Sequence, residues 1–222
     1  MKRLLLLSIC LLLSVVSFAH DIEIKDSKGV TFFYNWINNN TELEVTFKGD
    51  NAWDYSITPY SGALSIPSTA TYNGSTYPVT AIGDYAFVTS SITSVVIPNG
   101  ITRIGIAAFS GNKISEVFIP ASVTNIVGNP FNGLANIIVS DANAVYDSRE
   151  SCNAIIETAT NKLICGSNTS VIPNSIETIG DAAFSGCKEL TEIEIPASVR
   201  SIGEYNQEIK GKTNVEIIPV SA

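Results

Sequence analysis

Few residue types in this chain could do chemistry, and their spacing limits what that chemistry would be. The 222 residues hold one histidine, His20, and four cysteines. With a single imidazole at one end, no Ser-His or Cys-His pair can form within the body of the chain, so an activated nucleophile has no base. No Cys or His spacing suits zinc. The 21 acidic residues could supply a carboxylate pair, yet no feature singles out two of them for acid and base roles. Asp50 and Asp54 lack the further acidic residues at alternate positions that a calcium loop needs. Asp141, Asn143 and Asp147 begin such a pattern, but Cys152 stands where a closing Glu belongs. The expectation is a chain with no catalytic residues, no metal site and no cofactor.

Two other sets of residues carry weaker chemical signals. Cys152 and Cys165 flank a β-rich stretch and could be bonded across a hairpin there. If its turn centres on Ala159 and Thr160, however, Ala154 faces Cys165 and Cys152 is out of direct register. Cys187 reads as an inward residue bonding to a neighbouring coil, not as a reactive thiol. Trp36, Trp53, Tyr55 and Tyr60 are the side chains that stack on sugar rings, which suggests a carbohydrate-binding module. The same residues suit the core of a small β module, the preferred reading, because aromatic side chains dominate core burial.

What positions these residues begins with an apolar run from Leu4 to Phe18 behind Lys2 and Arg3. It is too short to span a bilayer, and Ser17 and Ala19 precede a plausible cut, so residues 1–19 read as a secretory signal peptide with His20 as the mature N-terminus. Lipidation at Cys10 competes less well, since Ile9 is large beside that cut and the apolar run continues beyond it. Cleavage removes Lys2 and Arg3 and takes the net charge from −8 to −10. That charge, with no cluster of Lys or Arg, argues against a nucleic-acid partner and against anionic lipid surfaces. No membrane-spanning segment is expected after cleavage.

The stretch from Val79 to Pro120 organises the remainder. VTAIGDYAFVTSSITSVVIPNG and ITRIGIAAFSGNKISEVFIPAS superpose without a gap, so Ile82 answers Ile104, Phe87 answers Phe109 and Pro98 answers Pro120, each 22 residues later. A third copy follows from Val123 with Ile126 and Phe131 in register, a fourth from Ile176, and a worn copy from Val199. A fixed period of this size is the mark of a solenoid whose coils bury their apolar residues against one another. In the most regular copy, Leu190, Ile193 and Ile195 before Pro196 read as a short strand with Ile193 and Ile195 inward and Glu194 outward. Ala183 and Phe184 fill the interior within a short helical or irregular turn. Where Phe184 would recur stands Gln207, and Glu208, Lys210 and Lys212 follow, a polar end suited to a terminal cap.

Residues 20–78 lack the period. Thr31 to Ile37 and Glu42 to Phe47 flank Asn38, Asn39 and Asn40 as a hairpin, and Thr69 to Tyr72 and Ser75 to Val79 flank the type I′ turn pair Asn73 and Gly74. Pro78 should hold the second of these strands at an edge. The module is expected to close the first coil, whose apolar end would otherwise be exposed.

The strings IGDYAF, IGDAAFSGC and TEIEIPASV resemble the BspA-like leucine-rich repeats of bacterial surface proteins, and YSGALSIPSTATYNGSTYPV resembles the segment that leads into them. The resemblance implies a leucine-rich-repeat solenoid, mainly β with short helical or irregular turns, preceded by a small antiparallel β module. It also implies a secreted or cell-surface protein used for adhesion, whose partner is an extracellular protein of a host matrix or another cell. Domain limits follow as 1–19 for the signal peptide, 20–78 for the cap module and 79–222 for the solenoid, with an insertion at about 144–175. That insertion stretches Phe131 to Phe184 to 53 residues, one period of 22 and one of 31.

Two residues before each Pro or its equivalent, the outward strand positions are Val96, Phe118, Ile138, Val171, Glu194 and Ile217. Stacked strands lie about 4.8 Å apart, so these side chains are expected to form one ladder on the sheet face. Beside them runs a mostly polar row that includes Glu116 and Glu192. An exposed apolar stripe with a polar border is what a protein-binding surface looks like. Val96, Phe118, Ile138, Val171, Glu194, Glu116 and Glu192 are the candidate ligand-binding residues, although strand propensity alone also selects Val and Ile.

Overall fold

The structure, a computed structural model, describes residues 20–49 and 60–209. Residues 1–19, read above as a signal peptide, and Asp50, Trp53, Asp54, Tyr55, Lys210, Lys212 and Ile217 lie outside the described residues.

The chain begins with an antiparallel meander of β1 (Ile22–Lys25), β2 (Thr31–Ile37) and β3 (Glu42–Thr46). Asn38, Asn39 and Asn40 all take positive φ in the β2–β3 turn, which asparagine tolerates because its short amide bonds to local backbone. β4 (Ser61–Ser65) follows, then the hairpin of β5 (Thr69–Tyr72) and β6 (Ser75–Ile82). Asn73 and Gly74 both have positive φ there, as a type I′ turn requires.

Pro78 does not make β6 an edge strand along its whole length. The half up to Pro78 pairs only with β5, so the missing N–H costs no second ladder. The half from Val79 to Ile82 lies between β3 and β8 (Arg103–Ile104), parallel to both. The sequence division between 78 and 79 therefore falls inside one strand, and the meander and first coil share backbone hydrogen bonds.

Each of the first three coils uses two strand segments. One is short and ends before a glycine or its equivalent: the end of β6, then β8, then β10 (Asn125–Ile126). The other is longer and precedes the Pro position: β7 (Ser91–Val96), β9 (Glu116–Ile119) and β11 (Asn136–Val139). The recurring Ile-Gly pair has a steric cause, since a Cβ at Gly105 would lie 2.4 Å from the backbone nitrogen of Asp84 in the coil before. Between the two segments runs an irregular turn carrying the buried aromatic. Phe87, Phe109 and Phe131 stack with centroids 5.1 Å apart at interplanar angles of 15° and 6°. Tyr60 closes that column edge-on to Phe87 at 4.8 Å, and Phe32 packs against Tyr60 at 5.5 Å. The aromatic core of the N-terminal module thus continues the column of the coils. Among the described residues there is no α-helix, and no helix is long and apolar enough to cross a membrane.

Asparagines tie coil to coil. Asn112 accepts from the backbone N–H of Ile92 at 3.0 Å and donates to the carbonyls of Phe87 and Phe109 at 2.7 and 2.9 Å. Such bonds matter because a buried backbone group left unpaired costs on the order of 1–3 kcal/mol.

The insertion is an antiparallel detour of β12 (Tyr146–Asp147), β13 (Ile155–Glu157) and β14 (Lys162–Cys165). β14 then pairs parallel with β15 (Thr178–Ile179), and β15 with β16 (Ser201–Ile202). The coil that contains β14 passes from Gly166 to Val171 without an Ala-Phe turn, so the turns before and after it meet directly. Asn129 Nδ2 donates to the carbonyl of Ala182 at 2.8 Å across 53 residues. Three strands are added on one side of the solenoid and no turn on the other.

The strand expected before Pro196 does not form. Residues 190–196 run without a regular ladder, and the preceding coil forms no strand over 166–177 that could pair with them. The alternation survives, with Ile193 and Ile195 buried and Glu192 and Glu194 exposed. In the last described coil the buried residue next to the aromatic position is Asn206, whose amide accepts from Phe184 N–H at 3.0 Å, while Glu208 accepts from Gly186 N–H at 2.8 Å.

Phe109 sits at the centre of the ring column, so Phe109→Ala should cost about 3–5 kcal/mol of stability. Phe118→Ala on the exposed face should cost less than about 1 kcal/mol. Urea unfolding of both variants checks the contrast, and equal losses would refute the assignment of inner and outer faces.

Candidate protein-binding face

Alternation within the longer strands puts Val117 and Ile119 of β9 and Ile137 and Val139 of β11 inside, which leaves Phe118 and Ile138 outside. Parallel pairing places Phe118 directly beside Ile138, and Glu116 beside Asn136. Val96 ends β7 in the coil before, paired on its far side with Ser65 of β4. Val96 is 60% exposed, Phe118 49% and Ile138 42%. Asn136 donates to the Glu116 carboxylate at 2.6 Å, fixing the polar border beside the stripe.

The ladder is not continuous beyond Ile138. A segment of the insertion, Glu150 to Asn153, threads between Ile138 and Val171. Asn153 holds it there, accepting from Ile137 N–H at 2.6 Å and donating to the Ala135 carbonyl at 2.8 Å and to Thr169 Oγ1. On its other side the Cys152 carbonyl accepts from Val171 N–H at 3.1 Å. The expected single ladder is therefore Val96 on a strand paired with β4 instead of β9, then Phe118 paired with Ile138, one step of inserted backbone, and then Val171 (69% exposed) and Glu194. Beyond the step lies a concavity of about 520 Å³ lined by Val171, Pro173, Ile193 and Pro196 and by Glu150, Glu192 and Glu194.

Charge is distributed unevenly between the two sides of the solenoid. Arg103, Arg149 and Arg200 all sit on the side of the short strands, within reach of carboxylates there. Arg103 pairs with Asp84 at 2.6 Å and Glu44 at 3.3 Å, Arg149 with Asp147 at 2.7 Å, and Arg200 with Glu177 at 3.9 Å. Burial opposes ionisation of Asp147, but hydrogen bonds from Arg149 and Thr158 outweigh it and hold its carboxyl below the usual range. Asp147 is thus committed to an ion pair. Asn143 is committed to the backbone, accepting from Val145 and Tyr146 and donating to the carbonyls of Pro120 and Val123. Among the described residues no cluster of His, Cys, Asp or Glu could hold a metal ion.

A groove of about 850 Å³, lined by Tyr85, Ile106, Glu157, Lys162, Asp181 and Tyr205 among others, opens where the turns on either side of the insertion meet. Sequence reasoning did not find it, although the 31-residue spacing was its signal. Trp36 stands edge-on to Tyr77 at 4.7 Å and to Tyr72 at 6.0 Å. Its ring is engaged within the N-terminal module.

A family model described as a BspA type leucine rich repeat region matches six copies over residues 74–152 and 155–217. Among solved structures, a leucine-rich repeat protein from Eubacterium ventriosum aligns with a TM-score of 0.54 at 18% identity, over 82% of this chain and 62% of that one. The chain thus spans less than two thirds of that protein's length. A leucine rich cell surface protein from Faecalibacterium prausnitzii aligns with a TM-score of 0.42 at 18% identity, over 82% and 73%. The pneumococcal vaccine antigen PcpA aligns with a TM-score of 0.39 at 12% identity, over 90% and 71%. No curated protein matches the chain.

Cys152, Cys165 and Cys187 are buried thiols, with no disulfide among the described residues. The proposed pairing of the first two fails on register. A bulge between Ile155 and Ile156 sets Cys165 opposite Ile155, and the Cys152 thiol points to Ser148 Oγ at 3.6 Å and the Ala154 carbonyl at 3.9 Å. The Cys187 thiol bonds to the Gly166 carbonyl of the neighbouring coil at 3.7 Å. Burial pushes the Cys152 and Cys165 thiols up. A raised native value means the unfolded chain gives up a proton that the folded chain keeps, so stability should fall as pH climbs above the ordinary thiol range near about 8.5. In residues 20–222, Ellman's reagent should label the native thiols slowly even at pH 9 and all three on unfolding. Fast labelling of a native thiol, or a disulfide seen by mass spectrometry, would contradict the arrangement.

Proposed function

Because the chain belongs to the BspA type leucine rich repeat family, we propose that it is a secreted or cell-surface protein that works by non-catalytic binding, as an adhesin-type module. Its partner on this reading is a protein of a host matrix or neighbouring cell, met through the strand face. Residues 1–19 would direct export, and residues 20–78 would cap a solenoid over residues 79–222.

The observation that carries the reading is the exposure of Val96, Phe118 and Ile138 at equivalent positions of three successive coils, with Phe118 paired directly with Ile138. Single exposed apolar residues need no explanation, but adjacent ones on a rigid sheet keep apolar surface in water at a cost that a partner relieves. Their parallel backbone fixes the spacing between them, so little conformational entropy is lost on docking. Carbohydrate binding through the N-terminal aromatics has less support, since Trp36 is already packed against two tyrosines.

Purified residues 20–222 should bind one or more members of a panel of extracellular-matrix proteins. The Val96→Asp/Phe118→Asp double variant, of unchanged circular dichroism, should lose that binding at least tenfold. Binding that survives the variant, or that appears only with glycans, would remove the strand face from consideration.

A further inference from the structure

The strand face also carries the chemistry of its occupant. Glu150, Glu192 and Glu194 are exposed around the concavity next to Val171, and none of them forms an ion pair among the described residues. Glu116 adds a fourth carboxylate to the border. Arg103 and Arg200 are held on the opposite side by Glu44, Asp84 and Glu177, and Arg149, the chain neighbour of Glu150, is paired with Asp147. Lys113 and Lys188 lie in the turns that precede the longer segments, outside the lining of the concavity. The face is therefore apolar at its N-terminal end, with Glu116 at its border, and predominantly negative at its C-terminal end, where Glu192 and Glu194 face no cation among the residues lining the concavity.

Resting on the strand-face reading, we propose that the docked partner segment is an extended protein chain with apolar side chains at one end and a Lys or Arg at the other. The apolar side chains cover Val96, Phe118 and Ile138. The cation enters the concavity, its methylene stem against Val171, Pro173 and Pro196 and its head among Glu150, Glu192 and Glu194. A long basic side chain suits this site because the stem is apolar and only the tip requires a carboxylate. An acidic or phosphorylated segment would instead meet like charge.

Spacing sets the register of such a segment. Val96 and Ile138 are two strand steps apart, about 10 Å, and Glu194 lies three further steps on, so the whole span is roughly 24 Å at about 4.8 Å per step. An extended chain covers about 3.3 Å per residue. The basic residue therefore belongs about four or five positions from the nearest apolar anchor, and about seven residues bridge the face.

Panning a random dodecapeptide phage library on residues 20–222, with counter-selection on the Val96→Asp/Phe118→Asp variant, tests this directly. Enriched peptides should pair apolar residues with a Lys or Arg at that separation. Synthetic copies should bind Glu192→Gln/Glu194→Gln at least tenfold more weakly than the parent chain, with affinity falling as salt rises. Both glutamates are exposed and the amides are isosteric, so the urea midpoint should stay put and report that the fold is intact. Enriched peptides without a basic residue, or binding within twofold on the Gln variant, would overturn the cationic assignment. If those peptides still required Phe118, protein binding by the face would stand alone. A selection that returned nothing dependent on Val96 and Phe118 would overturn both.

Discussion

Everything in this molecule depends on one requirement, that each coil's backbone hydrogen-bond groups be satisfied by the next coil. A coil of 22 residues has too little interior to be stable alone, so it exists only with neighbours in register. Register explains why the rings of Phe87, Phe109 and Phe131 lie nearly parallel at a spacing close to the strand separation. It also explains the recurring glycine after isoleucine, where the previous coil approaches too closely for a Cβ. The asparagines take up what the ladders leave over. Asn112, Asn129, Asn153 and Asn206 each bond to the backbone of another coil, and each holds a place where the chain turns away from regular pairing.

The same requirement produces the exposed stripe. Once Val117, Ile119, Ile137 and Val139 are turned inward, two-residue alternation forces Phe118 and Ile138 outward, whatever their character. Sequence decides only what stands there. Neighbouring outward positions on the same segments hold Ser94, Glu116 and Asn136, so the run of Val96, Phe118 and Ile138 is not forced by strand geometry. A phenylalanine half exposed on a sheet surface still leaves about half of its apolar area in water, which a threonine there would not.

Much of this was legible because it rests on spacing. The period, the inward phenylalanines and the outward positions follow from identical offsets in successive copies, and the hairpin at Asn73 and Gly74 follows from the spacing of two strand patterns about a type I′ turn pair. What spacing cannot carry was missed. Pro78 reads as a strand edge, yet β6 changes partners at that residue and continues as an interior strand. The stretch before Pro196 has the pattern of a strand, but a ladder needs a partner edge, and the insertion had displaced it. The bulge at Ile155 set Cys165 opposite Ile155 instead of Ala154, one place farther from a Cys152 that the hairpin register already left without a facing partner. These are long-range or one-residue effects, and a local pattern holds no trace of them.

The insertion is accordingly the feature that distinguishes this solenoid from a uniform stack. A uniform stack presents the same face at every step and can discriminate only by length. Here three strands are added on one side while the turns at Asn129 and Ala182 stay in contact on the other, so the coil direction must change between Ile138 and Val171. The change brings Glu150 onto the strand face and opens the concavity beside it. An apolar region and an anionic one are thereby set at a fixed separation on a rigid surface. Two unlike anchors at a fixed distance reject a segment that satisfies only one, because the unmet carboxylates or apolar side chains are then covered without compensation. Regular coils supply the rigidity, and the interruption supplies the means of discrimination.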